Sequence, residues 1–156
     1  MTTTFEICTI DGSALTSVRE TGLDTSGNPI EHVLATGGEP LRCCLRDAEV
    51  GEELILFGYE PVIPASPYRE IGAVFAHAQP CNGPEFDGGY PPDWLGRKQI
   101  LRAYDRRGWI HPASRMHDGT DPMTAIAEVL ADPDVVELHS RNVVYGCYMF
   151  TARRLA

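Results

Sequence analysis

Two arginines bracket a pair of adjacent cysteines in the run Arg42-Cys-Cys-Leu-Arg46. Read as a strand, alternation puts Arg42, Cys44 and Arg46 on one face and Leu41, Cys43 and Leu45 on the other. A thiol between two guanidinium groups is shifted toward the thiolate, which is the nucleophilic form. The same two planar forks could instead hold a carboxylate or phosphate through paired charge-assisted bonds. The plainer alternative is that each arginine meets an acid across the sheet while Cys44 fills space.

Two further groups offer chemistry. His77 and Cys81 stand four apart where an apolar strand runs into a long loop, a place where sites gather because rigid elements meet variable ones. Against this, a histidine ending an apolar face is often a hydrogen-bonded core residue. Glu137, His139 and Arg141 alternate along another strand. An imidazole between a carboxylate and a guanidinium has the parts of a tuned general acid/base, although a solvated strand face would look the same. Cys44, His77, Cys81, His139 and Cys147 are acceptable zinc ligands by type, but they lack the paired local spacing of a zinc motif, so no metal ligand is assigned from sequence. Cys147, flanked on its face by Tyr145 and Met149, reads as core. No phosphate loop, dinucleotide fingerprint, His-Glu-x-x-His or Gly-x-Ser-x-Gly occurs, which sets aside the common nucleotide-dependent enzymes and implies a cofactor-independent site.

The elements that must position these groups follow from periodicity and turn chemistry. Phe5 to Ile10 alternates as a first strand, and Ser13 to Glu20 forms a short helix stopped by Gly22. Thr25 to Pro29 is a turn, Ile30 to Ala35 is ambiguous, and Glu39 to Asp47 reads as one strand. Leu54 to Tyr59 is apolar on both faces, as a central strand should be. Ile71 to Ala78 follows, with Ile71, Ala73, Phe75 and His77 on one face. Pro80 to Gly96 holds four Pro and four Gly in 17 residues. A loop of that length is uncommon in a compact domain unless it is functional or mobile, and Tyr90 and Trp94 could pack in it or cover a ligand. Gln99 to Tyr104 and a strand beginning at Trp109 flank an Asp105–Gly108 hairpin loop. Asp121 caps a helix with Pro122 at its first position and Met123, Ile126, Ala127 and Leu130 as its stripe. Val135 to Arg141 and Tyr145 to Arg153 close the chain. The expectation is one α+β domain over residues 1–156, with about eight strands and two helices in a mostly antiparallel, strongly bent sheet or partial barrel.

Composition bounds the rest. The 156 residues suit one domain of ordinary size. A net charge of −9 from 22 acids and 13 bases argues against nucleic acid or an anionic membrane as partner. Of the bases, twelve are Arg and only Lys98 is Lys, a bias that either a GC-rich genome or a set of anion forks would produce. No apolar run approaches the ~20 residues of a bilayer span, and Met-Thr-Thr-Thr-Phe-Glu does not read as a signal peptide. The expected compartment is therefore the cytoplasm, where five cysteines, an odd number, are thiols or ligands and not a disulfide framework.

At the level of whole motifs, Pro40-Leu-Arg-Cys-Cys-Leu-Arg-Asp-Ala48 with Gly51-Glu52 resembles the central block of an uncharacterised bacterial family, domain of unknown function 1203. Ser66-Pro-Tyr-Arg69, Gly72-Ala-Val-Phe-Ala-His77 and Cys81 are similar to its next block. Leu101-Arg-Ala-Tyr-Asp105, Asp118-Gly119, Val136-Glu-Leu-His139 and Gly146-Cys-Tyr148 are similar to those that follow. Members often carry a Cys-x-x-Cys ahead of the Leu-Arg, and here Leu41 stands at its first position while Cys44 matches the second. The resemblance implies a fold and a set of positions but no activity.

From the residues, the leading expectation is a small enzyme acting on an anionic metabolite. Arg42 and Arg46, with Arg141, Tyr90 and Trp94, would bind the anion; His139 or His77 would move the proton, and Cys44 is the candidate nucleophile. The alternatives are a non-catalytic small-ligand sensor or dimeric interaction domain, and a domain with a structural zinc.

Overall fold

The computed structural model describes residues 3–86 and 89–155. Two α-helices, one short 3-10 helix and ten strands in two sheets are present among them. The fold is α+β and mostly antiparallel, as expected. Two separate five-stranded sheets replace the single bent sheet or partial barrel. The chain gathers into two compact units, each built from separated stretches. One comprises Met1–Cys8, Val62–Arg69 and Asp87–Ala156; the other comprises Thr9–Pro61 and Glu70–Phe86.

The second unit carries helix α1 (Gly12–Thr21) and strands β2 (Glu31–Leu34), β3 (Pro40–Leu41), β4 (Arg46–Asp47), β5 (Glu53–Tyr59) and β6 (Gly72–His77). Asp11 caps α1 by accepting from the Ser13 N–H at 3.1 Å, and Gly22 ends it in the left-handed conformation at φ 68°, a backbone state that costs glycine nothing. The sheet order is β2-β5-β6-β3-β4. β5 lies between two partners and buries Leu54, Ile55 and Phe57, which is why both of its faces are apolar. Every pairing is antiparallel except β3 with β6, where Leu41 sits opposite Phe75.

This unit departs from simple strand periodicity at two places. Residues 39–47 are not one strand: β3 and β4 are two-residue pieces joined by a turn over 42–45, closed by the Leu45 N–H donating to Leu41 O at 2.9 Å. Leu45 takes φ 57°, unusual for a side chain of that size, and its burial in the core holds it there. Strand alternation therefore does not apply to Arg42, Cys44 and Arg46. In β6, the buried face is Val74 and Ala76, while Ala73 and the preceding Ile71 are exposed. His77 thus lies on the less buried face and not on an apolar core face.

The first unit carries β1 (Phe5–Cys8), β7 (Gln99–Tyr104), β8 (Arg115–His117), helix α2 (Pro122–Leu130), β9 (Glu137–Asn142) and β10 (Tyr148–Arg154). The order β1-β10-β9-β7-β8 is antiparallel throughout. Asp121 caps α2 through the Thr124 N–H at 3.2 Å. Gly108, at φ 77°, closes the turn after β7, but the return makes only a single bridge at Ile110 before β8. β9 lies between β10 and β7 and buries residues on both faces, Leu138 and His139 alike; the solvated-face alternative for His139 does not hold. The loop from Pro80 to Gly96, of which Asp87 and Gly88 lie outside the described residues, contains the 3-10 helix Pro92–Trp94. Trp94 is 0% exposed and stacks on Phe150 at 6.3 Å, and Tyr90 meets the same ring edge-on at 5.8 Å. No helix among the described residues is long and apolar enough to cross a membrane.

Candidate metal centre

The turn over 42–45 and the end of β6 meet because of the parallel β3–β6 pairing. The Arg42 N–H donates to Phe75 O at 2.9 Å and so brings the turn cysteines beside His77. Cys81 enters four residues later. Cys43 Sγ, Cys44 Sγ, Cys81 Sγ and a His77 ring nitrogen all lie within 4.8 Å of one another. Cys43 Sγ is 3.5 Å from His77 Nδ1, Cys44 Sγ is 3.9 Å from it, and the two sulfurs are 3.9 Å apart. Tetrahedral zinc, with bonds of about 2.3 Å to sulfur and about 2.0 Å to nitrogen, sets S···S edges at roughly 3.8 Å and S···N edges at roughly 3.6 Å. The three edges among Cys43, Cys44 and His77 lie close to these values, and Cys81 Sγ stands within 4.8 Å of each of the other donors.

The imidazole is turned the right way for this. His77 Nε2 stands 2.8 Å from Glu52 Oε2. A carboxylate only accepts, so this contact calls for the ring proton on Nε2. Arg46 Nη2, 3.1 Å from the same nitrogen, bonds Glu52 Oε2 and not the ring. The Nδ1 lone pair then faces the sulfurs. A carboxylate behind the histidine is the usual orienting partner of a metal-ligating imidazole. Glu52 is itself gripped by Arg46, whose Nη1 and Nη2 reach its two oxygens at 2.9 Å each. Glu52 also accepts from the Glu49 N–H at 2.7 Å. Arg46, ahead of that backbone bond, holds the Glu52 carboxyl down at about 2. Arg19 of α1 fixes the backbone at the same point, donating to His77 O at 2.9 and 3.3 Å.

The thiols sit in an environment that favours at least one thiolate. The hydrogen bond shared with Cys44, followed by the His77 N–H donating to Cys43 Sγ at 3.3 Å, pulls Cys43 down to about 5 despite its burial. The same shared bond, with burial, pushes Cys44 up, and burial raises Cys81. A metal ion would reverse the last two, since a coordinating thiol loses its proton outright.

The residues expected from sequence to form one site are not brought together as drawn. Arg42 is 2% exposed and donates to Pro40 O, and Arg46 is engaged with Glu52. The two guanidinium groups are not an open fork. His77 and Cys44 join the centre, whereas His139, Arg141 and Cys147 lie in the other unit. There His139 Nε2 is 3.2 Å from Glu137 Oε2 with Tyr104 and Tyr148 against its ring, and Arg141 Nε donates to Gly146 O at 2.8 Å. Tyr90 and Trp94 are core residues of that unit, as described above.

Two members of this arrangement are not visible to strand periodicity: Cys43, which alternation places on the opposite face, and Glu52, which lies outside that run. A signal for both existed: two adjacent cysteines with Gly51-Glu52 shortly after. A second cluster, His111, Asp132 and Asp134, lacks the chemistry. His111 Nδ1 accepts from the Ala113 N–H at 3.0 Å, so a neutral ring keeps its proton on the Nε2 that faces Asp132.

No curated protein and no solved structure matches the chain. Residues 38–154 match the family described as protein of unknown function, DUF1203, and that span holds all four donors with Glu52 and Arg46. The chain belongs to the DUF1203 family.

Proposed function

We propose that the protein is a zinc-binding domain whose Cys43, Cys44, His77 and Cys81 form a four-coordinate structural centre. The observation that carries this reading is the convergence of three sulfurs and one imidazole nitrogen within 4.8 Å, in a chain with only five cysteines. A nucleophile needs one thiol; three around one ring are the donor set of a closed, thiolate-rich zinc site. The Glu52–Arg46 pair behind His77 supports it, because it fixes ring orientation and tautomer. Such a centre would tie the 42–45 turn, the end of β6 and the segment after it, linking metal affinity to folding.

The test is metal content. Protein purified under reductant without chelator is measured by elemental analysis, and cobalt(II) is substituted for optical spectroscopy. One zinc per chain, with tetrahedral thiolate–cobalt absorption lost in His77→Ala, is the expected result. Substoichiometric metal that cannot be restored by adding zinc to reduced protein would remove this reading.

A second reading is catalysis on a small anionic molecule. It is supported by Cys43, His77 Nδ1 and Glu52 standing in the order thiolate, imidazole, carboxylate, with Cys43 held at about 5. It predicts that metal-free protein is alkylated fastest at Cys43 and hydrolyses an activated ester. If Cys43 reacts no faster than Cys8, this second reading is excluded.

A further inference from the structure

Cys81 is held differently from the other donors. Cys43 and Cys44 are each 5% exposed, in a turn clamped between β3 and β4. His77 belongs to a strand laddered against β5. Cys81 is exposed and lies in a stretch with neither helix nor strand, after Pro80 and before Pro84. Of the three sulfurs it is the one a reagent meets from solvent, and access governs thiol oxidation.

Geometry also limits which disulfide can form. Adjacent residues across a trans peptide have Cα atoms about 3.8 Å apart, closer than the roughly 4.4 Å at which ordinary disulfides begin. A Cys43–Cys44 bridge is therefore strained. A bridge from Cys81 to either turn cysteine starts with the sulfurs within 4.8 Å and draws on a segment that no strand pairing holds.

We infer that hydroperoxides oxidise this centre at Cys81 and release its metal, leaving a disulfide between Cys81 and Cys43 or Cys44. The inference rests on the zinc reading above. The Cys81 thiolate sulfur attacks one peroxide oxygen; the S–O bond forms and the O–O bond breaks. The departing hydroxide or alkoxide takes a proton, giving water or an alcohol beside a Cys81 sulfenic acid. A turn-cysteine thiolate then attacks that sulfur, the S–S bond forms and the S–O bond breaks, and the leaving hydroxide is protonated to water. Two electrons pass from the sulfurs to the peroxide. Two of four donors are lost, and only one thiolate and His77 remain to hold the ion.

The experiment uses full-length zinc-loaded protein and hydrogen peroxide, with a metallochromic indicator for release and non-reducing peptide mapping for the disulfide. One zinc released per disulfide containing Cys81, both reversed by a thiol reductant with added zinc, is expected. In Cys81→Ser, release with peroxide, less release without it, should fall by about tenfold or more. Should that variant retain too little metal to measure, the wild-type protein still decides. A sulfenic-acid trap added early should mark Cys81 before Cys43 or Cys44. Release while Cys81 stays reduced, a mapped Cys43–Cys44 bridge, or zinc that survives peroxide overturns the inference. Absence of zinc from fresh reduced protein overturns the zinc reading instead, so the two failures are distinct.

Discussion

Replacing Glu52 by Gln keeps an oxygen that can accept from His77 Nε2 but turns an amide donor toward Arg46. Replacing it by Ala removes the carboxylate that accepts from His77 Nε2, from Arg46 and from the Glu49 N–H. Loss of a partner behind a metal-ligating histidine typically weakens metal binding about 10–100-fold, or roughly 1.4–2.7 kcal/mol. Glu52→Ala belongs near the upper end, since no group then holds the imidazole tautomer. Glu52→Gln belongs near about tenfold or below, since the ring keeps its acceptor. The assay is competition with a chromophoric chelator near neutral pH. In metal-free protein, the Glu52 carboxyl at about 2 against its ordinary 4.5 corresponds to about 3 kcal/mol at most. With the Arg46 side chain 38% exposed, solvent screening reduces this to about 1 kcal/mol. Because the folded value is depressed, that stability is present above about pH 4.5 and is lost as pH falls toward 2. The wild-type advantage over Glu52→Gln in denaturant melts should therefore be level above that range and vanish below it. Zinc affinity of Glu52→Ala within about threefold of wild type would refute the orienting role.

Other outcomes follow from the same structure. Asp121→Ala removes the cap at Thr124 N and should cost about 0.5–2 kcal/mol in urea unfolding; a change within error would place the helix start elsewhere. Gly119→Ala would put a Cβ 2.4 Å from Gly96 C and 2.5 Å from Arg97 N at φ 87°. The clash and the backbone strain together should cost about 2–5 kcal/mol, read as a lowered melting temperature. Trp94→Ala opens a hole against Phe150 and should cost about 3–5 kcal/mol. Denatured, metal-free protein kept under reductant until a final desalting step should titrate five thiols; three or fewer would mean disulfides.

What the sequence alone determined was the locally encoded structure. Both helices, the Gly22 stop, the Asp121 cap with Pro122, the central β5 and the Gly108 turn depend on neighbours within a few residues. Such features are readable because propensity, capping and alternation act at that range. The block motifs also pointed to the family that the match over residues 38–154 establishes. The tertiary structure decided the rest. Period-two reading carried one strand through residues 39–47 because nothing local reveals that Leu45 adopts φ 57°; burial of its side chain selects that conformation. The error sent Cys43 to the wrong face. The centre itself joins residues 34 positions apart, Cys43 and His77, through a crossover that pairs β3 in parallel with β6. Glu52 reaches His77 across 25 positions. A zinc motif with paired spacing announces itself because local turns assemble it. This donor set has no such spacing, because sheet pairing brings its members together.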